Sequence, residues 1–184
     1  MDCQTDSERI AGPKSHYQVV TELFEKHFGK DQIFTGIEIG TGAADLTVTI
    51  MNNFQNCHIH TIDPWVHVDG AEFEAGEPQQ RHDNAQKIAR QRIEPFKDRA
   101  TILHMTSKEA LIHAPKEVDF VWIDGDHTGQ TVEFDCDSYL PLVKKGGIFG
   151  GHDFGQVHPL TEIIMKKFNS RLNSGNDFTW WIYI

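Results

Sequence analysis

The chain has 184 residues, enough for one domain with a real hydrophobic core. Its 39% hydrophobic and 24% charged residues are an ordinary globular balance, and no apolar run approaches the ~20 residues that cross a bilayer. A net charge of −10 argues against a nucleic-acid partner, because duplex binding depends on neutralising phosphates with Lys and Arg.

In chain order, "YQVVTELFEKHF" (17–28) predicts a helix, with Val19, Val20, Leu23, Phe24 and Phe28 at helical spacing. "FTGIEIG" predicts a strand, "DLTVTIMNNF" a helix and "CHIHTID" a second strand. "QQRHDNAQKIARQRIEPF" reads as a helix closed by Pro95, "ATILHM" as a third strand and "SKEALIHA" as a short helix. "VDFVWID" is a fourth strand, followed by a helix over 129–142. "GGIFGGHD" is a fifth, "LTEIIMKKFNSRL" a helix and "FTWWIYI" a closing strand. This alternation predicts an α/β fold: a Rossmann-like, doubly wound, mostly parallel sheet in one compact domain. An N-terminal helical segment, 1–32, precedes the main unit, 33–184. The segment 65–78 breaks the rhythm; it reads as a surface loop or a substrate lid, with an acceptor pocket expected from 65–82 and the chain after Asp153.

Several features carry no function in this reading. Cys3, Cys57 and Cys136 form no CxxC pair, so neither a zinc knuckle nor a disulfide framework is expected. Lys87, Arg90, Arg92 and Lys97, interleaved with Glu94 and Asp98, read as a solvated helix face. Asp135 and Asp137 are expected to be solvated, and His58 and His60 to lie on sheet faces. Trp180, Trp181 and Tyr183 are expected on an edge strand or at a homodimer contact. The start "MDCQTDSERIAGPK" has neither the basic beginning nor the apolar stretch of a signal peptide, which predicts a cytoplasmic protein without a membrane partner.

In a parallel sheet, ligands bind beyond the carboxyl ends of the strands. The first strand ends in "GIEIGTGAAD", where Gly40 and Gly42 allow a tight turn and close approach of a ligand. A strand-to-helix turn without a ligand reads the same. The second strand ends in Asp63, about 20 residues on, where a carboxylate can accept ribose hydroxyls. A dinucleotide site would carry a third small residue where Asp45 stands. Glu38 and Asp45 disfavour a pyrophosphate and tolerate a sulfonium and an ammonium, so S-adenosylmethionine is favoured over NAD.

"EIGTGAADLT", "TIDPW", "ILHMTSKEAL" and "VDFVWIDGDHTGQTVEFDCDSYLPLVKKGGIFGGHDF" follow in this order. The series resembles the class I S-adenosylmethionine-dependent methyltransferases, and more narrowly the small catechol- and macrocin-type O-methyltransferases, over roughly residues 33–170. The resemblance makes 33–184 the cofactor-binding methyltransferase domain. It implies that Glu38, Gly40, Thr41 and Gly42 line the methionine end of the cofactor. Asp63 would bind its ribose, Thr106 and Ser107 would lie near the adenine, and Trp65 would border the cofactor or substrate pocket. Asp124 would hold cofactor or metal. With His152 and Asp153 it forms a candidate site for Mg²⁺ or another divalent metal, the imidazole shifting preference toward Mn²⁺, Fe²⁺ or Zn²⁺.

His127 is the first candidate for general base, since imidazole titrates near neutral pH, with Asp126 as the alternative. The expected activity is O-methylation of a small hydroxylated acceptor. A non-catalytic cofactor-binding module, or an oxidoreductase or hydroxylase on the same fold, stays open beside it.

Overall fold

The computed structural model describes residues 14–68 and 76–184. Its elements are α1 (His16–Phe28), β1 (Phe34–Ile39), α2 (Asp45–Asn53), β2 (Cys57–Ile62), α3 (Gln79–Ile93), β3 (Ala100–Leu103), α4 (Ser107–Ala110), β4 (Val118–Ile123), α5 (Gly129–Tyr139), β5 (Val143–Gly151), α6 (His158–Phe168), β6 (Asn173–Ser174) and β7 (Trp180–Tyr183). The strands form one sheet in the order β3-β2-β1-β4-β5-β7-β6. β1 to β5 run parallel, and β7 lies antiparallel to both β5 and β6.

Alternation along each strand builds two cores. Phe34, Ile59, Phe120, Trp122 and Ile148 face α1, α2 and α3, packing on Val20, Phe24, Ile50 and Ile93. Ile37, Ile39, Val121, Ile123 and Phe149 face α4, α5 and α6, packing on Val132, Cys136, Leu160 and Ile164. β4 is buried on both sides, which explains its nearly continuous apolar run. This is the predicted doubly wound architecture in a single domain.

The chain winds from β1 outward to β3, then returns to β4 and winds the other way. The switch between β1 and β4 opens a crevice at their carboxyl ends. Gly40 sits there with φ +94, and any Cβ on it would fall on the Asp124 carbonyl. A side chain at this position would wedge the two strand ends apart.

Five expectations change. β7 is not an edge strand, because the two-residue β6, which the sequence pattern did not announce, lies outside it; Trp180 is fully buried. The helix predicted over 107–114 is a single turn, α4, and the helix predicted over 129–142 ends at Tyr139, followed by a 3₁₀ turn containing Pro141. Arg92 is not simply solvated, since it pairs with Asp45 at 2.7 Å and donates to the Ala43 carbonyl.

Asp135 is the fifth. It is 0% exposed rather than solvated, because α5 turns this position inward toward α4. Neither of its oxygens reaches full hydrogen-bond geometry with a described residue. Burial pushes its carboxyl up to about 7, the Ser107 hydroxyl pulling the other way. The folded pKa therefore lies above the ordinary carboxylate value, and stability is lost as pH rises from about 4 through 7. Asp135→Asn is expected to remove that slope and to be more stable than the parent at pH 8 by on the order of 3 kcal/mol. Urea unfolding of both proteins at pH 5 and pH 8 measures this; parallel losses would mean that Asp135 carries no such penalty.

Candidate active site at the carboxyl edge of the sheet

All five non-glycine residues with positive φ among the described residues lie on this edge: Ala44, Trp65, Asp153, Asp177 and Phe178. Left-handed backbone costs free energy in such residues and tends to collect where function holds it in place.

On the β1 side, Glu38 is 1% exposed and accepts hydrogen bonds from the Thr47 and Thr61 hydroxyls. Thr61 stands opposite it in the β1–β2 register. Burial raises the Glu38 carboxyl to about 8; the two hydroxyls oppose the shift, and the nearby Asp124 and Asp63 add to it. Asp63 ties the β2 exit to the glycine turn: one oxygen accepts from the Gly42 N–H at 2.8 Å, the other from the Trp65 N–H at 2.7 Å. Trp65 is buried and returns the tie, its Nε1–H donating to the Gly42 carbonyl at 2.9 Å. The Asp45–Arg92 pair partly neutralises Asp45 and burial keeps Glu38 protonated, so the negative field of the crevice comes chiefly from Asp63 and Asp124.

On the β4–β5 side, the His152 N–H donates to the Ile123 carbonyl, which sets Asp124 beside His152 as expected for neighbouring strands. His152 Nδ1 lies 3.3 Å from Asp153 Oδ1 and 3.6 Å from Asp124 Oδ1. Burial opposes charge on this imidazole, but the two carboxylates outweigh it and push its pKa up to about 10. His127 Nε2 lies 2.9 Å from the other oxygen of Asp153, and both side chains are nearly buried. Asp153 is held well below the usual carboxylate range: burial works against this, and the two imidazoles prevail.

Asp126 points elsewhere. It accepts from the Thr128 N–H and from the Thr128 and Thr131 hydroxyls at the start of α5. Thr106 closes a capping box with Glu109, and the Ser107 carbonyl accepts from the Tyr139 hydroxyl at 2.6 Å. Half of the predicted lid, 69–75, falls outside the described residues. At its base, the His67 N–H donates to Gln79 Oε1 and its ring contacts the Glu77 carbonyl.

Three residues without a sequence signal join the site. The start of α1 crosses to the strand ends, where the His16 N–H donates to Asp177 Oδ2 at 2.6 Å and its Nδ1 lies 3.0 Å from the same oxygen. The His16 and His152 rings are 4.2 Å apart. Tyr17 is raised to about 12 by burial and by Asp45, Asp124 and Glu38. His16 and Asp177 are 161 residues apart in sequence, so no local pattern reveals their meeting.

The doubly wound sheet, the glycine turn at the switch point and the acidic crevice are what a nucleoside-cofactor transferase of this fold presents. A family described as a methyltransferase domain matches residues 37–154, more than half of the chain, and the chain belongs to that family. It is a class I S-adenosylmethionine-dependent methyltransferase whose fold resembles that of the small O-methyltransferases.

No protein of curated function matches the sequence. Among solved structures, an O-methyltransferase from Bacillus cereus in complex with SAH is similar, with TM-score 0.64, 14% identity, and coverage of 91% of this chain and 80% of that one. A putative caffeoyl-CoA O-methyltransferase from Staphylococcus aureus has TM-score 0.62 and 14% identity, covering 90% and 80%. An rRNA methylase from Streptococcus thermophilus has TM-score 0.64 and 9% identity, covering 94% and 96%. At these identities the likeness concerns the fold. Among the described residues, no helix is long and apolar enough to cross a membrane.

Proposed function

We propose that this methyltransferase alkylates a hydroxyl oxygen of a small acceptor, with His127 as general base. The observation that carries the reading is the His127–Asp153 contact at 2.9 Å, held between the ends of β4 and β5. Asp153 accepting from Nε2–H makes Nδ1 the basic nitrogen of the imidazole. S-adenosylmethionine supplies an electrophilic methyl carbon on a sulfonium. The acceptor O–H gives its proton to His127, the oxygen lone pair forms the new O–C bond, and the C–S electrons stay on sulfur. The protein's part is to align oxygen and methyl and to take the proton.

The residues present fit the cofactor. Glu38, Asp63 and Asp124 offer carboxylates to its cationic methionine end and to the ribose, and Gly40, Thr41 and Gly42 line the turn beneath. Asp63 still has lone pairs for ribose hydroxyls after accepting from Gly42 and Trp65. Trp65 acts as the anchor of this turn, with Thr106 and Ser107 on the adenine side. Asp126 serves better as the start of α5 than as a base, its carboxylate already accepting from two threonines.

Mg²⁺ fits poorly between Asp124 and Asp153. Both oxygens of Asp153 already contact imidazole nitrogens, and His152 stands against Asp124. Mg²⁺ prefers an all-oxygen octahedron that keeps several waters. Proton removal is therefore assigned to the protein's own side chains.

A net charge of −10 favours a small acceptor over RNA. The test is methyl transfer from labelled S-adenosylmethionine to a panel of phenolic, sugar and macrolide hydroxyls, with ribosomal RNA as a separate arm. Transfer to a hydroxyl acceptor is expected. Transfer to RNA alone, or calorimetric binding of NAD⁺ without S-adenosylmethionine, would overturn the assignment.

A further inference from the structure

We infer that His16, His152 and Asp177 form a binding site for a borderline divalent cation such as Co²⁺, Mn²⁺ or Zn²⁺. The site joins α1, the end of β5 and the approach to β7. One ring nitrogen of each histidine and a carboxylate oxygen of Asp177 lie within 4.8 Å of one another. Donors bound at ~2.1 Å to one ion stand about 3–4 Å apart, so small side-chain movements close the set. Two imidazoles and one carboxylate suit first-row transition metals and not Mg²⁺.

A second observation points the same way. His152 Nε2 is buried and has no hydrogen-bonding partner among the described residues, although Nδ1 of the same ring faces Asp124 and Asp153. A buried imidazole nitrogen left without a partner is costly unless something binds it. Carboxylates on the opposite ring nitrogen are the usual outer partners of a metal-bound histidine, fixing its tautomer and raising its basicity.

The neighbouring group Asp124, His152 and Asp153 is the competing site. An ion there has to displace the contacts of Asp153 with His127 and His152. At the site assigned here it breaks the His16–Asp177 side-chain contact and displaces the proton on His152 Nε2, while the contacts of Asp153 stay in place.

The experiment uses the full chain, stripped with EDTA and titrated with Co²⁺ in the absence of cofactor and acceptor. Absorption bands and calorimetry are expected to report one tight site, and the pulsed-EPR spectrum of the Cu²⁺-loaded protein to show two imidazole nitrogens. Millimolar Mg²⁺ leaves Co²⁺ in place. Loss of an outer partner alone weakens metal binding roughly 10–100-fold, so His16→Ala and Asp177→Asn are expected to weaken Co²⁺ binding at least that much. Far-UV circular dichroism and the unfolding midpoint without metal verify that both variants fold, and His16→Gln serves if His16→Ala does not. Co²⁺ affinity unchanged in the His16 and Asp177 variants but lost in Asp124→Asn would place the ion between the strand ends instead. No Co²⁺ binding, or a single imidazole nitrogen, would overturn the site. Metal binding is read without turnover, so its failure leaves the methyl-transfer reading untouched.

Discussion

His127→Ala is expected to lower turnover by about 10²–10⁴-fold while S-adenosylmethionine affinity stays at the parent value. The separation follows from position. His127 sits beyond β4 against Asp153, whereas the glycine turn, Glu38 and Asp63 lie on the β1–β2 side of the switch point. Removing the imidazole takes away the proton acceptor and leaves the crevice intact. Asp153→Asn keeps the shape but weakens the hold on the ring, so an intermediate loss is expected. Single-turnover rates with an identified acceptor, beside calorimetric titration of the cofactor, measure both quantities. Full turnover in His127→Ala would show that the proton leaves by another route.

Cofactor affinity is expected to rise steeply with pH up to about 8 and then level off. Glu38 is protonated in the empty protein below that value because burial disfavours its charge. A sulfonium and an ammonium beside it favour the carboxylate, so binding at pH 6.5 expels the proton. Each pH unit below 8 then costs up to about tenfold in affinity. The same shift acts on folding with the opposite sense. The folded pKa exceeds the unfolded one, so the empty protein loses stability as pH rises from about 4.5 through 8. Calorimetry in buffers of different ionisation enthalpy counts the released proton directly. In Glu38→Gln the pH dependence disappears and affinity at pH 8.5 falls. Proton release that persists in Glu38→Gln would assign it to another group.

The placement of polar residues at the strand ends was legible in the sequence. An apolar run such as "VDFVWI" requires burial on both faces, which implies a central strand of a doubly wound sheet and places Asp124 at its ligand edge. Gly40 and Gly42 are readable because few other residues take their backbone geometry, and Asp63 because its spacing matches one βαβ passage.

What the sequence left open depends on contacts between distant residues. Asp126 and His127 are neighbours in sequence, His127 reading as the first candidate for a base and Asp126 as the alternative. Only the start of α5 turns Asp126 onto threonine donors, leaving His127 to face Asp153. Asp135 reads as a polar helix residue, and its burial is decided by how α5 rolls against α4. Arg92 looks solvated until α3 packs beside α2 and brings it to Asp45. His16 and Asp177 carry no local signal, because their meeting depends on α1 crossing the sheet edge and β7 running antiparallel. The sequence by itself determined the periodic burial and the residues that leave each strand. The tertiary structure decided which polar side chains meet, since those pairings are set by packing across the sheet and not by spacing along the chain.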